Sequence, residues 1–139
     1  AAYMTTGLAA DELLAGVTLP LPQRNCGYAF VEFARRHGDF AIVACSVLMG
    51  LERDGNIADV SIALSGLAHA PVRPTGIERA LMRQRPDAAA FKAAAAEAGE
   101  LTATADAYVT AAYRQHLARV LTYRALDAAA ARAREHAHG

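Results

Sequence analysis

Residues 28–40 read Y-A-F-V-E-F-A-R-R-H-G-D-F and run directly into a stretch, Phe40 to Met49, that is apolar at nearly every position. Such a pair restricts the fold more than any other feature of the chain. In the first half Tyr28, Phe30 and Glu32 fall on one side of an extended segment, and Ala29, Val31, Phe33 and Arg35 on the other. Aromatics on both sides predict a strand covered twice over or placed near an interface. Gly38-Asp39 supplies a tight corner. The apolar run behind it fits a strand at the centre of a sheet, although ten such residues also suit a buried helix. Its β-branched residues and the next turn decide for the strand. Asp54-Gly55 between two β-like runs is a strong hairpin signal. The partner, Ile57 to Leu67, alternates: Val60, Ile62 and Leu64 inward, Asp59, Ser61 and Ser65 outward, with Gly66 closing it.

Ahead of this core, Asp11 and Glu12 favour a short helix over Ala9 to Leu14. Val17-Thr18-Leu19 reads as an edge strand ended by Pro20 and Pro22, followed by a polar loop over Gln23 to Gly27. Beyond it, a proline-punctuated crossing from His69 to Pro74 leads into helices. Thr75 with Glu78 has capping-box spacing for a helix through about Met82. Pro86 suits the first turn of a second helix ended by Gly99. A third is expected from Thr104 or Asp106 to about Arg134, with Val109, Tyr113, Leu117, Val120, Leu121 and Ala128 as its buried stripe. Strands first and helices last is an α+β pattern: an antiparallel three- to four-stranded sheet with three helices packed on one face. Residues 1–139 are expected to form a single domain.

With 54% hydrophobic and 20% charged residues the chain belongs with globular proteins. Fourteen basic residues balance fourteen acidic ones, so overall charge gives no reason to expect nucleic acid or an anionic membrane as partner. No apolar run reaches the roughly 18–20 residues of a membrane span. An opening of AAYMTTGLAADELL has no signal-peptide character and suggests a piece from within a longer protein. Cys26 and Cys45 have neither zinc-motif nor CxxC spacing, and both are expected reduced in a cytoplasmic protein.

Nothing among these residues makes a self-sufficient catalytic site. His37, His69, His116, His136 and His138 show no helical zinc pattern. Ser46 and Ser65 lack the nucleophile frame G-x-S-x-G, and the glycines form no phosphate-binding sequence. Arg35-Arg36 beside Asp39 is the polar cluster that stands out. An exposed Arg–Asp staple across the corner would be worth under about 1 kcal/mol. A corner held against a cofactor or a neighbouring subunit would use the guanidinium fork and Phe30 more fully. Tyr113 is expected to pack with its hydroxyl at the rim, and Arg114, Arg119 and Arg124 to form a solvated face.

The order of these pieces resembles the C-terminal domain of the flavoprotein (medium) subunit of molybdenum hydroxylases, the carbon monoxide dehydrogenase and xanthine dehydrogenase family. The resemblance rests on Y-M-T-T-G-L-A-A-D-E-L-L, V-T-L-P, G-Y-A-F-V-E-F-A-R-R-H-G-D-F-A-I-V, D-G-N-I, S-I-A-L-S-G-L-A and A-Y-R-Q-H-L-A-R-V-L-T-Y-R-A-L. It implies a sheet-plus-helices domain packed against an N-terminal part that holds most of the FAD. It also implies partner subunits: a large one with molybdopterin and a small one with two [2Fe–2S] clusters, passing electrons through FAD to an external acceptor. By position, it makes Phe30, Arg35, Arg36 and Asp39 the cofactor-binding candidates, in a cytoplasmic oxidoreductase inactive as this fragment alone. A non-catalytic assembly module of the same fold is the alternative, and an unrelated α+β small-ligand binder a third reading.

Overall fold

A computed structural model describes residues 6–19 and 26–137. Pro20, Pro22 and the loop 23–25, together with Thr5 and His138, lie outside the described residues. Three strands, β1 (Cys26–Phe33), β2 (Val43–Leu51) and β3 (Ile57–Ser65), form one antiparallel sheet in the order β1-β2-β3. Three helices follow, α1 (Thr75–Leu81), α2 (Ala88–Ala98) and α3 (Ala111–Ala137). Long α3 lies on β1 and β2, α2 packs on α3, and α1 sits against β3.

The period-2 pattern sets which face is which. Ala29, Val47 and Ile62 stand in register across the three strands, as do Val31, Cys45 and Leu64, and these rows point at the helices. Most are buried, with Cys45 and Leu64 fully enclosed. Burial pushes the Cys45 thiol up to about 11, slightly offset by its contact with the Thr122 hydroxyl. The opposite rows are Tyr28–Leu48–Ser61 and Phe30–Ser46–Ala63, and here Tyr28 and Phe30 are 63% and 62% exposed. One face of the sheet is closed and the other is open.

The helix that closes it is built from small residues. On α3 the fully enclosed positions include Ala118, Ala125, Ala129, Ala130 and Ala133, with Leu126 and Thr122 between them. Of the expected stripe, Val109, Leu117 and Leu121 are buried, whereas Val120 and Ala128 are half-buried and Tyr113 is 42% exposed. Alanines bring the helix axis close to the strands, so close that a Cβ at Gly27 would stand 1.9 Å from the Ala129 carbonyl oxygen.

Several local expectations give way to tertiary demands. The apolar run becomes a strand only from Val43; Phe40 is 96% exposed. The Ala9–Leu14 stretch forms one turn, closed by the Glu12 amide on the Ala9 carbonyl. Val17-Thr18-Leu19 pairs with no strand among the described residues. No capping box forms at α1, whose N-cap is Pro74 without a side-chain bond. Glu78 instead turns to the outer edge of β3, where it accepts from the Ile62 amide (2.8 Å) and from Arg73 Nε (2.9 Å). A buried strand-edge N–H is costlier to leave unpaired than a helix-start amide that water can reach. Pro86 precedes rather than begins α2, which Asp87 caps through the amides of Ala89 and Ala90. Asp106 closes a turn over the Tyr108 and Val109 amides, and α3 starts only after Thr110, whose hydroxyl accepts from the Tyr113 amide.

Candidate functional site

The corner after β1 and the loop before α3 meet over one open cavity of about 630 Å3. Arg35, Asp39 and Phe40 come from the corner, Gly66 and His69 from the end of β3, and Asp106, Tyr108 and Arg114 from the α3 entry. The connection between β1 and β2 makes this possible. Ile42 donates its amide to the Phe33 carbonyl, so residues 34–41 bulge away from the sheet as a closed loop. Gly38, at φ +80°, turns it.

Each predicted site residue has a distinct place. The Arg35 guanidinium lies over the Tyr108 ring, 4.8 Å from its centroid. Asp39 caps its own turn by accepting from the Phe40 amide (2.9 Å), and its other oxygen lies 3.5 Å from Arg36. The ion pair of the corner is therefore Arg36–Asp39, with Arg36 84% exposed, and adds little to stability. Arg36 and Asp39 also line a small open hollow with His37 and Gly38. Phe30 stands apart. It belongs to the open sheet face, in a shallow groove of about 380 Å3 with Tyr28, Leu48, Ser46, Ser61 and Arg73.

One site residue was misread from the sequence. Arg114 is not part of a solvated face: its side chain is only 12% exposed. One terminal nitrogen donates to the Ile42 carbonyl (2.6 Å) and the Gly66 carbonyl (2.7 Å), while the other bonds the Asp106 carboxylate. The fork ties the start of β2, the end of β3 and the loop before α3 into one floor beneath the cavity. Gly66, at φ +88°, has no room for a side chain: a Cβ there would lie 2.1 Å from the Ile42 carbonyl oxygen. The Asp106 carboxyl is held below the usual carboxylate range by the Tyr108 and Val109 amides, then by Arg114.

Among the described residues, no group of three or more His, Cys, Asp or Glu could hold a metal ion, and no helix is long and apolar enough to cross a membrane.

Known proteins share this sequence and fold. The family model for the CO dehydrogenase flavoprotein C-terminal domain matches residues 28–129. The chain belongs to that family. The match therefore takes in β1 from Tyr28 onward, all of β2 and β3, the corner and most of α3. Among curated proteins the chain is 38% identical over 133 residues to the caffeine dehydrogenase subunit beta of Pseudomonas sp. strain CBB1, covering 93% of this chain and 44% of that protein. It is 32% identical over 130 residues to the carbon monoxide dehydrogenase medium chain of Afipia carboxidovorans, covering 93% and 45%. The solved carbon monoxide dehydrogenase from Hydrogenophaga pseudoflava superposes with a TM-score of 0.76 at 30% identity, over 82% of this chain and 40% of that one. The chain thus spans less than half the length of the curated relatives it matches. As a CO dehydrogenase flavoprotein C-terminal domain it has the expected fold, with three strands.

Proposed function

We propose that the chain is the C-terminal domain of the FAD-carrying medium subunit of a molybdenum-dependent dehydrogenase or hydroxylase, and that its corner helps to enclose the flavin. The observation that carries the reading is the family match across residues 28–129, which includes the Arg35–Asp39 corner. The partners would be a large molybdopterin subunit and a small subunit with [2Fe–2S] clusters, in the cytoplasm. Caffeine and carbon monoxide stand in the names of relatives 38% and 32% identical to this chain. Related domains thus accompany different substrates, and substrate choice belongs elsewhere in such complexes.

The residues fit one end of a flavin and not the whole cofactor. Arg35 supplies a guanidinium beside an exposed aromatic ring, and Phe40 a second exposed ring at the same cavity. No G-x-G-x-x-G turn is available for the pyrophosphate, so the preceding part of the subunit holds most of the FAD. Bound FAD supplies the exchange of electrons between the iron–sulfur clusters and an external acceptor. The chain's own residues then position and shield: Arg35 offers donors to a flavin carbonyl, Arg36 and Asp39 hold the corner's shape, and the Arg114 fork holds its base. Phe30, on the open sheet face, would contribute as a packing surface toward the flavin-holding part.

The test is Arg35→Ala and Asp39→Ala, each made in the assembled complex. Flavin content, or the rate of electron transfer to the acceptor, should fall about tenfold for Arg35→Ala, as expected for loss of a charge-assisted contact of about 1.4 kcal/mol, and by less for Asp39→Ala, which acts only through the turn it caps. Normal flavin content together with normal electron transfer removes the corner from the flavin site. The open sheet face favours a second reading, a non-catalytic assembly module. There, Phe30→Arg would weaken subunit assembly while both corner variants behaved as wild type.

A further inference from the structure

On the side of α3 turned away from the sheet, α3 meets α2 along a groove of about 300 Å3. Lys92 and Ala95 line it from α2, and Arg119, Val120, Tyr123 and Arg124 from α3. Ala95 is buried and Val120 and Tyr123 are half-buried, so these three form an apolar floor. The three cations are exposed and stand around it. Val120, Tyr123 and Arg124 share one face of the helix by their three- and four-residue steps, while neighbouring Thr122 points the other way, to Cys45 on β2. None of the six residues lines the cavity beneath the corner or the groove on the open sheet face.

The charge of this groove is one-sided. The chain as a whole balances fourteen basic residues against fourteen acidic ones, yet no carboxylate lines the groove. The ion pairs among the described residues are Arg36–Asp39, Arg73–Glu78 and Arg114–Asp106, and none uses Lys92, Arg119 or Arg124. Glu97 lines the hollow between α1 and α2 instead, and Asp127, one turn beyond Tyr123, stays outside the groove. Arg119 meets only the His116 ring, at 3.4 Å. The Tyr123 hydroxyl makes no hydrogen bond among the described residues. A cleft with low-dielectric walls and charge of one sign concentrates its field on whatever enters.

We propose that this groove docks an acidic helical segment of a partner protein. An apolar side chain of that segment sits between Val120 and Tyr123, and its carboxylates reach Lys92, Arg119 and Arg124. The volume suits one or two side chains and not a large cofactor. A nucleic acid would ask for a longer track of cations along its phosphates. A bilayer would ask for apolar groups that project, whereas here they are recessed between two helices. The inference does not rest on the flavin reading, since its residues are separate from the corner.

Fluorescence anisotropy with a designed probe tests it on the subunit expressed from its complete reading frame. The probe is a labelled glutamate-rich helical peptide with leucines at i, i+3, i+4 and i+7. The expected result is saturable binding that weakens as salt rises. Lys92→Glu combined with Arg124→Glu should weaken it about tenfold or more. Arg53→Glu combined with Arg79→Glu changes the net charge equally at exposed sites elsewhere and should weaken it by less than about threefold. All four positions are exposed, and circular dichroism confirms that both variants keep the fold. Four results would each overturn the proposal. They are no binding of the peptide, equal weakening by the two double variants, equal binding of a peptide with the same composition but scattered leucines, and tighter binding of phosphatidylserine vesicles or oligo(dT) than of the peptide.

Discussion

Replacing Arg114 with methionine tests whether one guanidinium holds the floor of the cavity together. Methionine keeps most of the side chain's length and apolar stem, so the loss is mainly that of the fork. Two carbonyls lose a charged donor: Ile42, on a residue only 9% exposed, and Gly66, which is half-buried. Hydrogen bonds to a charged group contribute about 1.5–3 kcal/mol each, and acceptors left dry cost about 1–3 kcal/mol. Asp106 is 47% exposed at its side chain and takes up water readily, so its lost partner adds little. Water reaching one of the two carbonyls lowers the sum, leaving about 3 kcal/mol. For a domain of this size that corresponds to a fall in Tm of roughly 10 °C. Urea unfolding followed by circular dichroism measures it, with Arg119→Met as control; Arg119 is exposed and bonds only the His116 ring among the described contacts. A loss under about 1 kcal/mol for Arg114→Met, or one matched by the control, would refute the reasoning, because the carbonyls would then be satisfied without the fork. Arg114→Lys separates charge from geometry: one ammonium cannot span both carbonyls and Asp106, so it should recover only part of the loss.

Gly27→Ala should destabilise the domain by the upper end of about 1–3 kcal/mol or more, since the new methyl would meet backbone atoms of α3 at 1.9 and 2.3 Å and no rotamer can relieve it; chemical denaturation checks this, and a neutral result would mean that α3 rides higher on β1. Glu78→Gln should cost about 1 kcal/mol at pH 7, because the amide still accepts from Ile62 but loses its charged bond to Arg73. Burial pushes the Glu78 carboxyl up, but the bonds from Arg73 and the Ile62 amide outweigh it and leave it below its ordinary value. A depressed folded value stabilises fully above the unfolded carboxylate pKa of about 4 and is lost as pH falls through the folded one. The gap between wild type and Glu78→Gln should therefore stay constant from pH 7 to about 5 and close below about 4; a gap that persists at pH 2 would show that the carboxylate's charge is not what Arg73 recognises.

The strands and their facing residues were legible because period-2 patterning is a local property: Val60, Ile62 and Leu64 point inward as their alternation predicts. The three helices were legible too, from their bounding Gly, Pro and Asp residues. Their starts were not, because capping side chains are contested. Glu78 has a good local use at the start of α1, and a better one sixteen residues away at the edge of β3. Asp106 caps a turn rather than a helix for a similar reason, being held by Tyr108, Val109 and Arg114 together. The buried stripe of α3 was legible at Val109, Leu117 and Leu121 but missed its alanines, because alanine carries little signal in a hydrophobic pattern, yet here the closest packing needs alanine. Arg114 was missed because its partners are backbone carbonyls 48 and 72 residues away, and carbonyls have no sequence signature.

The division between closed and open faces separates residues that serve the core from residues that do not. Residues pointing at α3 are set by the domain's own stability: small where the helix approaches, and large where β2 and β3 leave space. Tyr28, Phe30 and Leu48 on the open face lie between 40% and 63% exposed, so the isolated domain gains little from their identity. The same holds for Phe40 and Tyr108 at the cavity, 96% and 78% exposed. Large apolar groups in these places lower solubility without returning packing energy to the domain that carries them. Their energetic return has to come from whatever lies across the interface. Under the proposed reading, the demand on the corner and the open face comes from outside this domain.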